Sequence, residues 1–412
     1  MSAEDAAHEA PTRRETIQYG GAVVTGGLLA GCTGGSESGS TPTGDETTTE
    51  PDHGTDSSTE TDSSYEACIE PVGCQTFEAV PETWLVYNGG WADMAFALGQ
   101  RDGFITAGNM IPAFFFEPFD LEVPPAEELP PLRAEGKGWD KELFFEYDPD
   151  VILMDPEFMH GTGWYDNWDE ADTREIQHRV APFFGNNCRR RREFHDHKLY
   201  SLYGAFERLA ALFQAEERYE AFAELHEEVQ TEIDERLPPE SERPEVGLIN
   251  GGSEPAQGTF YPLDTKGEGY EMKPYRDLDV SPAFSAETLE EGEADYERML
   301  EADPEIIIVH WGIGTTGDTN SFSAAAFREQ YVAPMEEDSV GQELTAVQEG
   351  NVYPGAYGEQ GPIVNLLQTE MKAQQLYPEE FGEFDAEAFP EVPEENRLFD
   401  RQRVRDIING DI

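Results

Sequence analysis

Short runs of apolar residues alternate along the chain with longer stretches of helical spacing. The runs cover residues 84–87 and 151–154 in the first half, and residues 246–249 and 306–309 in the second half. Runs of this length, rich in β-branched residues and separated by helical stretches, are typical of parallel strands buried under helices. The pattern therefore predicts an α/β fold with parallel sheets. The remaining predicted elements are strands at residues 180–184 and 351–353 and a helix at residues 91–98.

One long amphipathic stretch separates the two halves. Between residues 215 and 237 an apolar residue recurs every three or four positions, and two prolines follow. This spacing predicts a helix that ends at the prolines. At a rise of 1.5 Å per residue such a helix extends about 34 Å, enough to join two lobes. We therefore predict two Rossmann-like lobes at residues 65–214 and 239–412, joined by a single long helix at residues 215–238.

A short motif occurs once in each predicted lobe. Glu142 lies seven residues before Pro149, and Glu297 lies seven residues before Pro304; an acidic residue and a buried strand follow in both cases. Proline disfavours helical backbone in the residue before it, so each glutamate is predicted to begin a short helix that ends just before the strand. A single such glutamate would be a carboxylate that stabilises a helix N-terminus. The identical offset favours an internal repeat.

The first 64 residues have the composition of a leader and a linker. Two adjacent arginines precede an apolar run at residues 17–30, too short to span a bilayer comfortably, and Cys32 follows a small residue. This order predicts a twin-arginine export signal with a lipobox at residues 1–32 and lipid attachment at Cys32. Residues 33–64 are rich in Ser, Thr, Asp and Glu and predict a disordered acidic linker. We expect a lipid-anchored protein on the extracellular face of the cytoplasmic membrane.

Acidic residues greatly outnumber basic ones. The chain has 86 Asp and Glu against 27 Lys and Arg, a formal net charge of −59, and arginines dominate the basic residues. Such a charge repels phosphate backbones and excludes nucleic-acid binding. The excess continues through the predicted lobes, where molar salt would screen the self-repulsion to within about 3 Å. The pattern favours an extreme halophile over an acidic mesophilic protein.

Three cysteines lie in the predicted lobes. Cys68 and Cys74 enclose five residues and could form a disulfide in an exported protein, which would leave Cys188 unpaired. Three separate thiols are the alternative, and both possibilities stay open. No C-x-x-C spacing typical of a metal site is present.

Together these features resemble class III solute-binding lipoproteins, which serve ABC importers of ferric siderophores, cobalamin and related chelates. The resemblance rests on the leader with its lipobox, the two lobes joined by one helix, and the repeated glutamate motif. Residues 360–367 and 376–378 are also similar to the end of archaeal iron-transport members. The resemblance covers residues 66–390. It implies little hinge motion between the lobes, and we expect a monomer without enzymatic activity.

The resemblance also implies partners and cargo. In this family one glutamate from each lobe docks onto arginines of the permease dimer, and the matching residues are Glu142 and Glu297. The implied partners are an ABC permease dimer and its ATPase, and the implied cargo is an iron(III) chelate of the siderophore type. Cobalamin and haem remain alternatives. The chain has no convincing trio of cleft histidines and carboxylates, so we expect no resident cofactor and no directly bound metal.

A planar or amphipathic chelate requires an aromatic-lined cleft with a few fixed charges. Aromatic residues that follow predicted strands are candidates, although any one of them is more often core or rim. Residues 189–192 are four consecutive arginines, which could clamp an anionic ligand or form a solvated patch paired with acidic neighbours. The predicted ligand-binding residues are Tyr87, Trp91, His160, Trp164, Arg190, Arg191, Tyr261, His310 and Trp311.

Two further motifs and one other class of function are compatible with parts of the sequence. His195 and His197 could form a metal pair, but no third ligand lies nearby in the sequence, so neutral surface histidines are expected. Residues 312–317 match G-x-G-x-x-G, but the next helix is predicted to begin near residue 320, which favours a loop at the cleft over a nucleotide site. The alternative class is a secreted two-domain hydrolase, for which no G-x-S-x-G or H-E-x-x-H motif is found.

Overall fold

A computed structural model gives the fold of the chain. It describes residues 64–412, apart from residues 110, 126–127, 135–137, 164–166, 316–321 and 356. The predicted export signal, Cys32 and the predicted linker up to residue 63 lie outside the described residues. No described helix is both long and apolar enough to cross a membrane.

The first lobe contains a three-stranded parallel sheet and two antiparallel strand pairs. Its strands are β1 (Tyr65–Ile69), β2 (Gly73–Phe77), β3 (Trp84–Val86), β4 (Phe104–Ala107), β5 (Arg133–Ala134), β6 (Gly138–Trp139) and β7 (Val151–Leu153). Its α-helices are α1 (Gly89–Ala97), α2 (Lys141–Tyr147), α3 (Pro156–Gly161), α4 (Glu170–Arg179) and α5 (Leu202–Phe213), with 3₁₀ turns at Arg101–Gly103, Ala113–Phe115 and Glu117–Phe119. The parallel sheet has the order β4–β3–β7, the antiparallel pairs are β1–β2 and β5–β6, and the hairpin β1–β2 carries a disulfide between Cys68 and Cys74.

A single long helix, α6 (Glu216–Arg236), follows the first lobe. Its four buried residues, Phe222, Leu225, Val229 and Ile233, recur every three or four positions, so they lie on one face. The free cysteine, Cys188, is buried in the first lobe.

The second lobe contains a four-stranded sheet in which all neighbours are parallel. Its strands are β8 (Glu245–Asn250), β9 (Ser281–Pro282), β10 (Ile306–His310) and β11 (Val352–Pro354), in the order β11–β10–β8–β9. Its helices are α7 (Lys273–Asp277), α8 (Ala286–Glu291), α9 (Tyr296–Ala302), α10 (Gly312–Thr315), α11 (Ala324–Phe327), α12 (Ala333–Glu337), α13 (Thr345–Glu349), α14 (Pro362–Leu376), α15 (Pro378–Phe381) and α16 (Arg401–Asn409). A π-helical turn at Arg328–Val332 joins α11 to α12, and 3₁₀ turns lie at Glu240–Glu242, Pro255–Gln257, Gly341–Glu343 and Glu394–Asn396.

Parallel sheets covered by helices confirm the predicted α/β fold. The prediction of a strand over residues 180–184 was too long. Val180 caps the end of α4, and Phe183 forms an isolated parallel bridge to Ile152 of β7. The loop expected at residues 312–317 begins instead as the helical turn α10, and its last two residues lie outside the described residues.

The repeated motif folds in the same way in both lobes. The Asp140 carboxylate caps α2 and accepts the amide hydrogen of Glu142, whereas Asp295 caps α9 and accepts that of Arg298. Each helix ends at an aspartate in the left-handed region, with φ of 41° at Asp148 and 38° at Asp303. Aspartate tolerates this conformation better than most residues, and it stops each helix before the following proline.

The acidic residue after each proline contacts the neighbouring central strand. The Asp150 carboxylate accepts the backbone N–H of Glu82 at 2.9 Å and that of Thr83 at 2.8 Å, just before β3 begins. The Glu305 carboxylate accepts the backbone N–H of Glu245, the first residue of β8, at 3.0 Å. The Pro-acid pair therefore fixes the register of two neighbouring parallel strands in each lobe.

The C-terminal segment returns to the first lobe. Helix α16 packs against α6, against α1 and against the turn Glu117–Phe119. The Arg218 guanidinium of α6 donates to the carbonyl of Ile407, and Arg405 pairs with Asp120 of the first lobe at 3.0 Å. The chain therefore connects the two lobes twice, once through α6 and once through its C-terminal segment.

Candidate functional site

The carboxyl ends of the first lobe's strands lie beside a small cavity. Tyr87 follows β3 directly, and the Asn88 side chain caps α1 by accepting the amide hydrogen of Trp91 at 3.1 Å. Trp91 donates its indole N–H to the carbonyl of Asn186, and Asp155 follows β7. In open parallel sheets, ligands bind at this end of the strands. The cavity is lined by Tyr87, Asn88, Trp91, Leu153, Met154, Asp155, Phe158, Asn186 and Asn187.

The corresponding end of the second lobe carries a buried glutamate with several donors. His310 ends β10, and its Nε2 lies 3.2 Å from Oε1 of Glu271. The indole N–H of Trp311 donates to the same oxygen at 3.1 Å. On its other side, Nδ1 of His310 lies 3.1 Å from the hydroxyl of Tyr275. Burial lowers the pKa of His310, so the neutral ring can donate to Glu271 and accept from Tyr275.

Two arginines of the first lobe complete this group. Arg189 lies 3.1 Å from Oε1 of Glu271, and Arg190 pairs with both carboxylate oxygens, at 3.0 and 2.7 Å. Burial alone would raise the pKa of Glu271, but the two guanidinium groups outweigh it and hold this pKa well below its usual value. The Arg189 guanidinium also lies 4.6 Å from the ring centre of Trp311, in cation–π contact. These residues form a charged network that joins the lobes.

A second buried carboxylate extends the network toward α1. Glu359 accepts a hydrogen bond from Arg189 at 2.7 Å and one from the hydroxyl of Tyr270 at 3.0 Å. The Tyr270 hydroxyl closely approaches Gly90 at the start of α1, where a Cβ atom would lie 2.6 Å from it. Glycine therefore permits the contact between the charged network and the helix that carries Trp91.

The backbone of Trp311 has an unusual conformation. Its φ of 70° lies in the left-handed region, which a bulky side chain rarely adopts. The ring also packs over Gly358, where a Cβ would lie 2.2 Å from Cζ2 of the indole. Strained backbone of this kind clusters at functional sites, because the surrounding contacts must hold it in place.

Asp93 of α1 fixes the start of a second-lobe helix. Its carboxylate accepts backbone N–H groups of Gly361 at 2.7 Å, Ile363 at 3.1 Å and Val364 at 2.9 Å, at the N-terminus of α14. Burial raises the pKa of Asp93 to about 7, against the effect of the three N–H donors. The Asp93 cap is a second buried polar connection between the lobes.

A family model described as "Periplasmic binding protein" matches residues 123–355. The chain belongs to the periplasmic binding protein family. Membership implies a solute-binding protein with a small-molecule ligand, an ABC permease as its partner and a location outside the cytoplasm.

Two solved structures share the fold of this periplasmic binding protein. The iron uptake ABC transporter substrate-binding protein PiuA from Streptococcus pneumoniae Canada MDR_19A is 17% identical with a TM-score of 0.51, and the match covers 76% of this chain and 98% of PiuA. A periplasmic binding protein from Veillonella parvula DSM 2008 is 16% identical with a TM-score of 0.53, and the match covers 78% and 94%. At these identities the likeness concerns the fold alone. No curated protein matches the chain.

The predicted ligand residues of this periplasmic binding protein fall into groups. Arg190, His310 and Trp311 meet at Glu271, whereas Tyr87 and Trp91 line the first-lobe cavity. The other predicted residues lie elsewhere: His160 contacts Thr173, Tyr261 is half-buried beside Ser253, Arg191 pairs with Glu268, and Trp164 lies outside the described residues.

Both arginines proposed as an anion clamp are paired with carboxylates. Arg190 is buried against Glu271, and the Arg191 guanidinium contacts exposed Glu268 at 2.7 Å. The sequence left two alternatives for the basic cluster, an anion clamp or a solvated patch paired with acidic neighbours. Arg191 fits the second alternative. A ligand anion at Arg190 would have to compete with Glu271.

The structure adds three residues that the sequence did not single out, and it places a fourth, Arg189, at the centre of the network. Arg189 lay within the basic cluster, but Glu271, Glu359 and Asp93 had no distinguishing pattern among 86 acidic residues. Their burial distinguishes them, since Asp and Glu are almost never fully buried unless they are paired.

The two repeated glutamates of this periplasmic binding protein are both exposed. Glu142 and Glu297 lie in the first turns of α2 and α9, two residues after the capping aspartates Asp140 and Asp295. The permease-docking role stays a prediction.

The two histidines expected on the surface lie in the interior. The His195 side chain is fully buried and that of His197 is 7% exposed, because both pack against Asp155 at the end of β7. Burial lowers the pKa of His195 to about 4, whereas contact with Asp155 raises that of His197. The expectation of surface histidines was wrong, and Asp155, 40 residues before His195 in the sequence, is a third potential ligand beside them.

Proposed function

We propose that this protein captures an iron(III) chelate of the siderophore type outside the cell and delivers it to an ABC permease. The observation that carries the proposal is the pair of strand ends that face the lobe interface. Tyr87 and Trp91 lie at one end and His310 and Trp311 at the other, and the buried charges of Arg189, Glu271 and Glu359 connect them. Aromatic walls with a few fixed charges suit a chelate that is both apolar and charged.

The repeated glutamates provide the delivery step in this proposal. Glu142 and Glu297 project from equivalent helices, one in each lobe, so they can contact equivalent sites on the two halves of a permease dimer. Both carboxylates are exposed, and each helix is held by an aspartate cap at its start and a left-handed aspartate at its end. Well-held short helices keep the two carboxylates at a constant separation. The protein itself carries out no reaction.

The leader completes the proposal. Lipid attached at Cys32 would hold the protein at the membrane, and the acidic linker would let the lobes reach the permease. A variant with Cys32→Ser should be released into the medium while it still binds its ligand. Retention of this variant at the membrane would contradict anchoring through Cys32.

A tryptophan-fluorescence titration in molar KCl tests the ligand class. Ferric hydroxamate and catecholate siderophores, cobalamin and haem are added separately, with the metal-free chelators as controls. Saturable quenching by a ferric siderophore alone would support the proposal. Quenching by cobalamin or haem would identify that compound as the ligand instead. Turnover of substrates in an ester and glycoside panel would indicate a hydrolase and contradict the proposal.

Two tryptophan variants locate the response. Trp311→Phe should weaken both the quenching and the affinity, because Trp311 contacts Glu271 and Arg189 at the proposed site. Trp84→Phe is the matched control, since Trp84 begins β3 at the opposite end of the strand and donates to Gln100. Equal losses in both variants would show that the signal does not come from the strand ends.

A further inference from the structure

A cluster of two histidines and one aspartate lies behind the first-lobe cavity. Nε2 of His195 is 3.7 Å from Oδ2 of Asp155, and Nε2 of His197 is 3.5 Å from the same oxygen. The two imidazole rings have their centres 5.0 Å apart. Asp155 comes from the end of β7, whereas the histidines lie on the loop before α5, so the fold alone brings these three residues together.

Three nitrogens of this cluster have no hydrogen-bonding partner among the described residues. They are Nε2 of His195 and both ring nitrogens of His197, and all three are buried. The distances from the two Nε2 atoms to Asp155 exceed the roughly 2.7–3.2 Å of ordinary N–H···O bonds. A buried polar atom without a partner is costly, and such atoms in native proteins often mark a bound ion or a functional group.

The spacing of the three atoms suits a metal ion. Zinc binds imidazole nitrogen and carboxylate oxygen at about 2.0–2.2 Å, so two ligands of a tetrahedral site lie roughly 3.3–3.6 Å apart. The ligand atoms of Asp155, His195 and His197 all lie within 4.8 Å of one another. The two nitrogen–oxygen separations, 3.7 and 3.5 Å, are close to this spacing.

We propose that Asp155, His195 and His197 bind a divalent transition-metal ion of the zinc type, with solvent or a neighbouring side chain as the fourth ligand. Two imidazoles and one carboxylate suit Zn²⁺, Co²⁺ or Ni²⁺ better than Mg²⁺ or Ca²⁺, which prefer oxygen ligands. The proposal does not depend on the chelate that the protein carries.

Carboxylates and backbone groups surround two of the ligands. Oε2 of Glu157 lies 3.2 Å from Nδ1 of His197, although this contact lacks hydrogen-bond geometry. A metal-bound histidine usually donates its other N–H to a carboxylate, and Glu157 is the carboxylate within reach of this nitrogen. The Asp155 carboxylate is held by the backbone N–H groups of Glu157 and Asn187, both at 2.9 Å.

His195 needs one rearrangement before it can bind. Its Nδ1 accepts the backbone N–H of Arg192 at 2.9 Å, so the neutral ring carries its hydrogen on Nε2. Coordination through Nε2 requires this hydrogen to move to Nδ1 and the Arg192 contact to open. Metal binding should therefore increase hydrogen exchange at the Arg192 amide.

The charged groups around the cluster have a net negative charge, which favours a bound cation. Asp155, Glu157 and Asp196 lie around the cluster, and the guanidinium groups of Arg191 and Arg192 oppose them. Three carboxylates against two guanidinium groups leave one negative charge. The ion would also fix the loop that carries Arg189 and Arg190, and thereby the charged network between the lobes.

Co²⁺ titration of the full protein, made without a histidine tag and freed of metals with EDTA, tests the site. The expected result is one equivalent of Co²⁺ with the strong visible absorption of a low-coordinate nitrogen–oxygen site, displaced by Zn²⁺ but not by excess Mg²⁺. Weak octahedral absorption that Mg²⁺ abolishes would show only general binding to surface carboxylates, and would overturn the proposal.

Variants identify the ligands. His197→Gln should abolish the absorption, and Glu157→Gln, at a half-buried residue beside the ligand, should weaken binding by about 10- to 100-fold. His178→Gln is the matched control, because His178 is exposed on α4 and should leave binding unchanged. If His197→Gln does not fold, the Co²⁺ affinity of Glu157→Gln still tests the assignment of the ligands. Unchanged Co²⁺ affinity in Glu157→Gln and in any folded His197→Gln protein would overturn the assignment.

Discussion

Arg189 of the first lobe donates a hydrogen bond to Glu359 of the second lobe at 2.7 Å, and both side chains are almost completely buried. The same guanidinium contacts Glu271, which Arg190 also pairs. Buried charges are expensive to transfer from water, and they are tolerated only where each is paired with good geometry. The contact between the lobes therefore depends on a polar network as well as on apolar packing.

Removing one charge of this network should destabilise the protein strongly. Glu271→Gln removes the carboxylate that pairs with Arg190 and leaves Arg189 paired with Glu359, and we expect the free energy of unfolding to fall by about 3–5 kcal/mol. The free energy of unfolding is measured with urea in constant molar KCl. Guanidinium chloride is unsuitable as the denaturant, because it would also change the ionic strength. Glu268→Gln is the matched control, because Glu268 pairs with Arg191 at the surface and should cost less than about 1 kcal/mol. Similar losses in both variants would contradict the role assigned to burial.

Asp93 should make stability depend on pH. Its pKa of about 7 in the folded protein lies above the value of about 3.9 expected in the unfolded chain. Between these two values the folded state binds more protons, so the contribution of Asp93 to the free energy of unfolding falls as pH rises from about 4 to about 7. The slope can reach about 1.4 kcal/mol per pH unit.

Asp93→Asn removes this titration. The variant should show a flatter dependence of unfolding free energy on pH, and the curves of variant and parent should lie closest near pH 4, where the parent carboxyl is protonated. Urea unfolding in molar KCl at several pH values measures both curves. Parallel curves across the whole window would show that Asp93 does not titrate there.

Reversing both repeated glutamates should separate binding from transport. We expect Glu142→Lys with Glu297→Lys to abolish ligand uptake by cells, while ligand affinity stays unchanged and stability changes by less than about 0.5 kcal/mol, as is usual at exposed positions. Glu146→Lys with Glu301→Lys is the matched control, since these exposed residues lie four positions further along the same helices. Loss of affinity in the first variant would assign the pair a structural role.

Salt should stabilise the fold. The formal net charge of −59 repels itself across the surface, and the Debye length shortens from about 10 Å at 0.1 M to about 3 Å at 1 M. The melting temperature should therefore rise steeply between 0.1 and 1 M KCl, whereas sucrose, which changes no ionic strength, should have a smaller effect. A melting temperature independent of KCl would contradict the expectation of a halophilic protein.

The sequence predicted the elements whose signal is local. The runs at β3, β7, β8 and β10 stand out because buried parallel strands are apolar on both faces. The strand expected at residues 180–184 failed because an apolar run at a helix end has the same composition as a strand. Periodicity cannot distinguish the two over so few residues.

The site was predicted in part, and the division has a physical cause. Trp311 and His310 were identified because they directly follow a recognisable strand. Glu271 is distinguished only by where the fold places it, among four donors from distant parts of the chain. His195 and His197 were expected on the surface for the same reason, because Asp155 is distant in sequence and close only in the folded protein.

The chain returns to the first lobe through α16, so the protein should stay assembled after cleavage between the lobes. A protease cut between α6 and β8 would leave the first-lobe fragment bound to the C-terminal fragment through Arg405 and Asp120 and through the contacts of Arg218 with Ile407. The two fragments should therefore copurify and reassemble when they are expressed separately. The same geometry makes the C-terminus unsuitable for truncation, since removing α16 would expose the part of α6 that α16 covers, together with its contacts on α1.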